Sequence, residues 1–215
     1  MTAPSEAASD PVPTGNHFDK YGATNPLSRL MLSRFLDALD TLLPVAAPTR
    51  VLEVGMGEGE IVRRLRERWP QADITGVDLW DDELRTHWAD LPAAAVVTDA
   101  RRLPFPDDSF DLVLAIEVLE HVERPGLALA ELARVGTDRV IVSVPREPIW
   151  RAANMARGSY LRDLGNTPGH INHWSSRGFR NFVGGVLDID ATAQPFPWTM
   201  VSASVGHHRS PTATG

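Results

Sequence analysis

The stretch from Arg50 to Pro145 alternates short apolar runs with amphipathic segments, and this alternation constrains the fold more than any other feature. The apolar runs are predicted to be strands, at Val51–Val54, Ile74–Val77, Ala94–Thr98, Phe110–Ile116 and Arg139–Val144. Helices are predicted between most of them, at Glu60–Trp69, Asp81–Trp88 and Leu127–Val135. Strands and helices that alternate at this spacing predict right-handed βαβ units and a parallel sheet.

Further elements are predicted on both sides of this stretch. Pro26–Leu43 is predicted to be an amphipathic helix, because its apolar residues recur at spacings of three and four. The alternation lapses after Pro145 and resumes with a helix at Ser175–Val183 and two strands, at Val186–Ala191 and Trp198–Ser204. We therefore expect a single domain over residues 17–206, with a disordered amino terminus (1–16) and a disordered tail (207–215).

Composition excludes several classes of protein. The net charge of −7 argues against nucleic acid as a partner, because phosphate binding needs a concentrated basic surface. The absence of cysteine excludes disulfides, thiolate metal sites and a cysteine nucleophile. No signal peptide is recognisable and no apolar stretch approaches the roughly 18–20 residues of a membrane span, so we expect a cytoplasmic protein. Composition predicts no particular oligomeric state.

The first predicted strand runs into a loop of acids and glycines, Glu53–Gly59, just before a helix. Glycines at alternate positions allow a tight turn and the close approach of a ligand at the carboxyl end of a strand. A dinucleotide fingerprint would need a third glycine where the chain has Glu60. The loop therefore favours a ligand other than a dinucleotide.

Two more acids follow the next two predicted strands. Asp78 closes the second strand, where a carboxylate can accept hydrogen bonds from both hydroxyls of a ribose. Asp99 follows the third strand, where it can accept from an exocyclic amine. Each acid alone could equally cap a helix or lie in solvent. Together they predict one crevice for a ligand with an ammonium group, a ribose and an adenine.

These segments resemble the class I S-adenosylmethionine-dependent methyltransferases, and more narrowly the ubiquinone- and menaquinone-biosynthesis-like branch that acts on small molecules. The resemblance rests on Leu52–Gly59, Gly76–Asp78, Asp99–Phe105, Ser109–Asp111 and Glu117–Val122, and it is more specific for the cofactor than for the substrate. It implies a doubly wound, Rossmann-like α/β fold with a seven-stranded, mostly parallel sheet in the order 3-2-1-4-5-7-6. It also implies an antiparallel last strand and an amino-terminal helix that covers the cofactor.

The resemblance further implies methyl transfer from S-adenosylmethionine to an oxygen, nitrogen or carbon atom of a small molecule, with S-adenosylhomocysteine as the product. The methionine end is assigned to Glu53 and the loop glycines, the ribose to Asp78, and the adenine to Asp99 with the Ala100 backbone. The complete predicted cofactor-binding set is Glu53, Gly55, Gly57, Gly59, Asp78, Leu79, Asp99, Ala100 and Glu117. Because the sulfonium is already activated, the enzyme needs in-line positioning and, for a protonated acceptor, a base.

Residues for the acceptor side follow the fourth and fifth predicted strands. Glu117, Glu120 and His121 are spaced so that a helical turn would place them on one face, and His170 lies in the loop Thr167–Trp174. These side chains could simply hold the loop. Alternatively, His121 and His170 are catalytic, with His121 as a base, or the four residues bind a divalent metal. The spacing resembles the E-x-x-E-H ligand set of some methyltransferases that act on catechols or RNA 3′ ends.

Three other functions remain open. The chain could bind S-adenosylmethionine for a non-methylating reaction, or keep the fold as a non-catalytic subunit, or be a nicotinamide-dependent oxidoreductase. Intact acids at Glu53, Asp78 and Asp99 weigh against a non-catalytic subunit, and Glu60 weighs against the oxidoreductase.

Overall fold

The structure is a computed structural model that describes residues 26–151 and 169–206. The termini predicted to be disordered, 1–16 and 207–215, lie outside the described residues, as does the start of the predicted domain. None of the helices in the described ranges is both long and apolar enough to cross a membrane.

One seven-stranded sheet organises the described chain. Its strands are β1 (Arg50–Val54), β2 (Asp73–Asp78), β3 (Ala94–Val97), β4 (Phe110–Ile116), β5 (Gly136–Pro145), β6 (Asp188–Ala193) and β7 (Trp198–Ser204). They are ordered β3-β2-β1-β4-β5-β7-β6, which confirms the predicted order. Strands β1 to β5 pair in parallel, whereas β7 runs antiparallel to both β5 and β6. The carboxyl ends of β1, β2, β3 and β4 therefore meet along one edge of the sheet.

Helices cover both faces of this sheet. They are α1 (Pro26–Leu42), α2 (Glu60–Arg68), α3 (Leu84–Trp88), α4 (Pro125–Val135) and α5 (Ser176–Gly184), with a short 3-10 helix at Leu119–His121. Alternate residues of β4 point to opposite layers: Leu112 packs with α1, α2 and α3, and Val113 packs with α4 and α5. Such a sheet, buried on both faces, is the doubly wound arrangement that the alternating pattern predicted.

Several element boundaries differ from the prediction by one to three residues, and two of them have a clear local cause. Helix α3 begins at Leu84 and not at Asp81, because the Asp81 carboxylate accepts the backbone N–H groups of Glu83 and Leu84 as a cap. Strand β6 begins at Asp188, two residues after the predicted Val186, whose N–H still donates to the Val183 carbonyl at the end of α5. Residues that the apolar pattern assigned to the strand therefore belong to the turn that ends α5.

Candidate functional site

The loop after β1 contains three glycines with positive φ, at +74° for Gly55, +52° for Gly57 and +85° for Gly59. A Cβ on Gly55 would collide with Val118, and one on Gly59 would collide with Leu91. A Cβ on Gly57 would meet nothing within 4 Å. Two glycines thus allow close packing, whereas Gly57 exposes its backbone to open space that a ligand can occupy.

Side chains from neighbouring segments hold Gly57 from both sides. Its N–H donates to Asp78 Oδ2 at 2.7 Å, and its carbonyl accepts the indole N–H of Trp88 at 2.9 Å. The sequence predicted the strand-end position of Asp78 but missed Trp88. No local spacing points to this indole, because it lies 31 residues along the chain from its partner.

The two acids at the ends of β1 and β2 lie in a desolvated environment. Glu53 is 2% exposed, and burial, aided by the nearby Asp78 carboxylate, raises its pKa well above the usual value. Within the described ranges, its Oε2 atom has no hydrogen-bond partner. Burial also raises the pKa of Asp78, although its Oδ1 accepts the N–H of Leu79 at 2.8 Å. A buried carboxylate oxygen without a donor suits a cationic group such as the ammonium of S-adenosylmethionine.

Asp99 lies after β3, as predicted, but its carboxylate is already bound. The Arg101 guanidinium donates to it at 2.7 and 3.0 Å, and the Arg101 backbone N–H donates to Oδ1 at 2.8 Å. This guanidinium holds the pKa of Asp99 below its usual value. Ala100 beside it is partly buried and Leu79 is half-exposed. An adenine amine would therefore share Asp99 with Arg101, a partner that sequence reasoning missed although it lies only two residues away.

Glu117 does not share a helical face with Glu120 and His121, so this prediction was wrong. Its φ of +61° reverses the backbone directly after β4, and the 3-10 helix begins only at Leu119. The reversal turns the Glu117 carboxylate toward β5 and β7. There it accepts the Ser143 hydroxyl at 3.0 Å and the Trp198 indole N–H at 2.6 Å.

Glu120, His121 and His170 do come together. Each offers one ligand atom, and these three atoms lie within 4.8 Å of one another; Glu117 is not part of this group. Glu120 and His170 are almost fully buried, and the rings of the two histidines meet edge to face with centroids 4.8 Å apart. The predicted convergence of the loops after β4 and β5 is thus observed for three of the four residues.

Backbone groups dock the loop that carries His170 onto the 3-10 helix. The N–H groups of Ile171 and Asn172 both donate to the Glu120 carbonyl, at 2.9 and 3.0 Å. The Asn172 amide adds bonds to two more carbonyls of that turn, at 3.0 and 2.6 Å. Gly169, at φ +86°, places its carbonyl 3.0 Å from His121 Nδ1. This contact favours a proton on Nδ1 and leaves the lone pair of His121 on Nε2.

Comparisons with known proteins find similarity to methyltransferases. The methyltransferase domain family matches residues 52–142. The chain is 37% identical over 123 residues to malonyl-[acyl-carrier protein] O-methyltransferase from Halorhodospira halophila, covering 54% of this chain and 40% of that protein. It is 33% identical over 110 residues to 27-O-demethylrifamycin SV methyltransferase from Amycolatopsis mediterranei, covering 48% of this chain and 40% of that protein. The chain thus spans less than half the length of these curated relatives.

Solved structures share the fold at low sequence identity. An S-adenosylmethionine-dependent methyltransferase from Mesorhizobium loti superposes with a TM-score of 0.62 at 18% identity, covering 80% of this chain and 97% of that one. A second such methyltransferase, from Aquifex aeolicus, superposes with a TM-score of 0.65 at 17% identity, covering 85% of this chain and 94% of that one. The fold is that of a class I S-adenosylmethionine-dependent methyltransferase. Residues 52–142 match a methyltransferase domain family, which agrees with the class I resemblance seen in the sequence.

Proposed function

We propose that this protein transfers a methyl group from S-adenosylmethionine to a small-molecule acceptor. The observation that carries the proposal lies at the carboxyl ends of β1 and β2. There the open backbone of Gly57 and a Glu53 oxygen that has no hydrogen-bond partner among residues 26–151 and 169–206 lie beside Asp78. The donor supplies an electrophilic methyl on a sulfonium. The residues of this chain bind and orient it: Glu53 toward the ammonium, Asp78 with Leu79 at the ribose, and Asp99 with Ala100 at the adenine. We further propose a cytoplasmic enzyme, and the net charge of −7 supports the absence of a nucleic-acid partner.

Among the three possible acceptor atoms, we propose oxygen. The printed names of both relatives above specify a methyl on oxygen. A hydroxyl acceptor must lose its proton as the carbon–oxygen bond forms, so it benefits from a base. His121 suits this role, because its Nδ1 faces the Gly169 carbonyl and Nε2 keeps a lone pair. His170, in ring contact with it, completes the acceptor side.

Calorimetry tests the donor, and a screen tests the reaction. We expect S-adenosylmethionine and S-adenosylhomocysteine to bind the full chain with one site each, and NAD to show no binding. A screen with a labelled methyl donor against hydroxyl, carboxyl and amine acceptors should then label an oxygen. Binding of NAD in place of both sulfur ligands would refute the donor assignment, and labelling of amines alone would refute the oxygen acceptor.

A matched pair of glycine variants tests whether the ligand lies over Gly57. Both Gly57→Ala and Gly59→Ala place a side chain at positive φ, which costs roughly 1–2 kcal/mol. Only Gly59→Ala adds a collision, with Leu91. We expect Gly57→Ala to keep a cooperative thermal transition with a modest loss of Tm but to bind S-adenosylmethionine far more weakly. Gly59→Ala should show the larger loss of Tm. Unchanged affinity in a folded Gly57→Ala protein would remove the ligand from this position.

A second candidate for the acceptor side is a divalent metal bound by Glu120, His121 and His170. The observation that favours it is the convergence of a carboxylate and two imidazoles from two loops, with ligand atoms within 4.8 Å. Such a set suits a divalent transition metal, which would lower the pKa of an acceptor hydroxyl. Glu117 is excluded from this version of the site, since its carboxylate faces Ser143 and Trp198.

Titration of the wild-type protein with Mn²⁺ and Zn²⁺ tests the metal. If the metal binds here, Glu120→Gln should weaken binding at least about tenfold, since even the loss of a supporting residue costs 10–100-fold. The control is His173→Gln, which removes a histidine from the same loop but outside the cluster. No binding, or equal weakening in both variants, would leave the base as the remaining role. Methylation that survives exhaustive chelation but is lost in His121→Ala would also leave the base as the remaining role.

A further inference from the structure

Glu117 occupies a costly position for a glutamate. It lies directly after β4 with φ +61°, a conformation that glycine and asparagine adopt far more readily. Its backbone N–H donates to the Ser143 carbonyl and hydroxyl, and its carboxylate accepts the same hydroxyl. The other carboxylate oxygen accepts the Trp198 indole N–H at 2.6 Å. Strained residues of this kind persist where the surroundings hold them, and they concentrate at functional sites.

A row of ring contacts leads from that indole to the acceptor side. Trp198 meets Trp150 with centroids 5.6 Å apart, and Trp150 lies nearly parallel to His170 at 6.1 Å. His170 in turn meets His121 at 4.8 Å. On its far side, Trp198 is held by the edge-to-face contact with Phe35 of α1 at 4.9 Å.

These rings cannot move independently. Trp198, Trp150 and His170 are all less than 9% exposed, and a close-packed interior passes a displacement on to its neighbours. The indole has a single N–H, so the Glu117 carboxylate determines which way the Trp198 ring faces. The orientation of the Trp198 ring then constrains the position of the Trp150 ring that packs against it. The Trp150 ring in turn constrains the position of the His170 ring.

We infer that Glu117 is a positioning residue for the acceptor side, acting through Trp198 and Trp150 on the rings of His170 and His121. This differs from its predicted roles as a cofactor ligand and a metal ligand. The inference rests on the proposed function, in which these two histidines serve the acceptor. It assigns a role to the carboxyl-terminal strand β7, because that strand supplies the indole.

The test uses Glu117→Gln, Trp198→Phe and the double variant of the full chain. Glu117→Gln keeps the size of the side chain but replaces one acceptor oxygen by an N–H donor. Trp198→Phe keeps an aromatic ring but removes the indole N–H. The matched control is Glu123→Gln, which removes an exposed carboxylate close to the 3-10 helix, where it pairs only weakly with Arg101 at 3.3 Å.

The main measurement is the ¹⁵N-detected histidine ring spectrum at a pH where the rings are neutral, which reports the tautomer and the environment of each ring. Signals are assigned with His121→Gln and His170→Gln. We expect the His170 signal to shift most, and His121 to lose part of its Nδ1–H tautomer, in both single variants. The double variant should show no further change, because both changes act along one path. The control should match wild type.

Two further measurements separate this inference from its alternatives. With an oxygen acceptor in hand, kcat should fall about tenfold or more, while the affinity for S-adenosylmethionine changes by less than about twofold. Unchanged histidine spectra with a lower Tm would mean that Glu117 only stabilises the fold, and this would overturn the inference. A large loss of donor affinity with unchanged spectra would also overturn the inference, and it would indicate that Glu117 binds the cofactor. The spectra need no ligand, so they remain decisive even if the protein fails to bind S-adenosylmethionine.

Discussion

Replacing Asp78 by Ala is expected to weaken S-adenosylmethionine binding about ten- to a hundredfold. The variant removes a charged acceptor from the ribose, and hydrogen bonds to charged groups contribute about 1.5–3 kcal/mol. Calorimetry with S-adenosylhomocysteine, which is chemically stable, measures the loss. Asp73→Ala is the matched control, because Asp73 is an exposed acid at the opposite end of the same strand. Equal affinities for Asp78→Ala and wild type would exclude Asp78 from the site.

Asp78 also binds the Gly57 N–H, so the loss could arise from a loosened loop instead. A truncated ligand, 5′-methylthioadenosine, separates the two causes, because it keeps the ribose and adenine but lacks the methionine end. If the ribose contact matters, this ligand should lose affinity as strongly as S-adenosylhomocysteine. If only the glycine loop is disturbed, the truncated ligand should be affected much less.

Replacing Glu53 by Gln is expected to abolish most donor binding and yet stabilise the ligand-free protein. The binding loss should again be about ten- to a hundredfold, because the ammonium loses a desolvated carboxylate. Wild-type affinity should rise as pH rises through the raised pKa of Glu53, with release of a proton, since the cation favours the ionised form. Glu58→Gln is the control, because Glu58 is an exposed acid of the same loop.

The effect on stability has the opposite sign. Because burial raises the folded-state pKa of Glu53 above 4.5, the folded protein holds this proton more tightly than the unfolded chain does. Its stabilising contribution is complete at low pH and is lost as pH rises through the folded-state pKa. Glutamine has no proton to lose, so the Tm advantage of Glu53→Gln should grow from about pH 4.5 upward. A Tm below wild type at neutral pH would contradict this account of Glu53.

The strand ends that carry the proposed donor site could be predicted from the sequence, because their determinants are local. An apolar run, the acid that ends it and the glycines that follow it are adjacent in the chain. Parallel pairing then brings the ends of β1, β2 and β3 to one edge. The contact between Arg101 and Asp99 could also have been predicted from the sequence, because the two residues are only two positions apart.

The other contacts that sequence reasoning missed are long-range. Trp88 reaches Gly57 across 31 residues, and Trp198 reaches Glu117 across 81. An indole N–H can serve any buried acceptor, so its position in the chain does not reveal its partner. The positive φ of Glu117 was equally hidden, because glutamate has no preference for that conformation. The misassigned helical face followed from that one reversal.

The position of β7 between β5 and β6 has a consequence for the order in which the protein is made. Every predicted donor-side residue except Glu117 lies between positions 53 and 100, so these residues are synthesised before Glu117 and Trp198. The indole that holds Glu117 belongs to Trp198, at the start of β7, which follows the other described strands in the chain. If the proposed roles hold, the donor residues are synthesised well before the indole that orients the acceptor side, and that side needs β7 in place between β5 and β6.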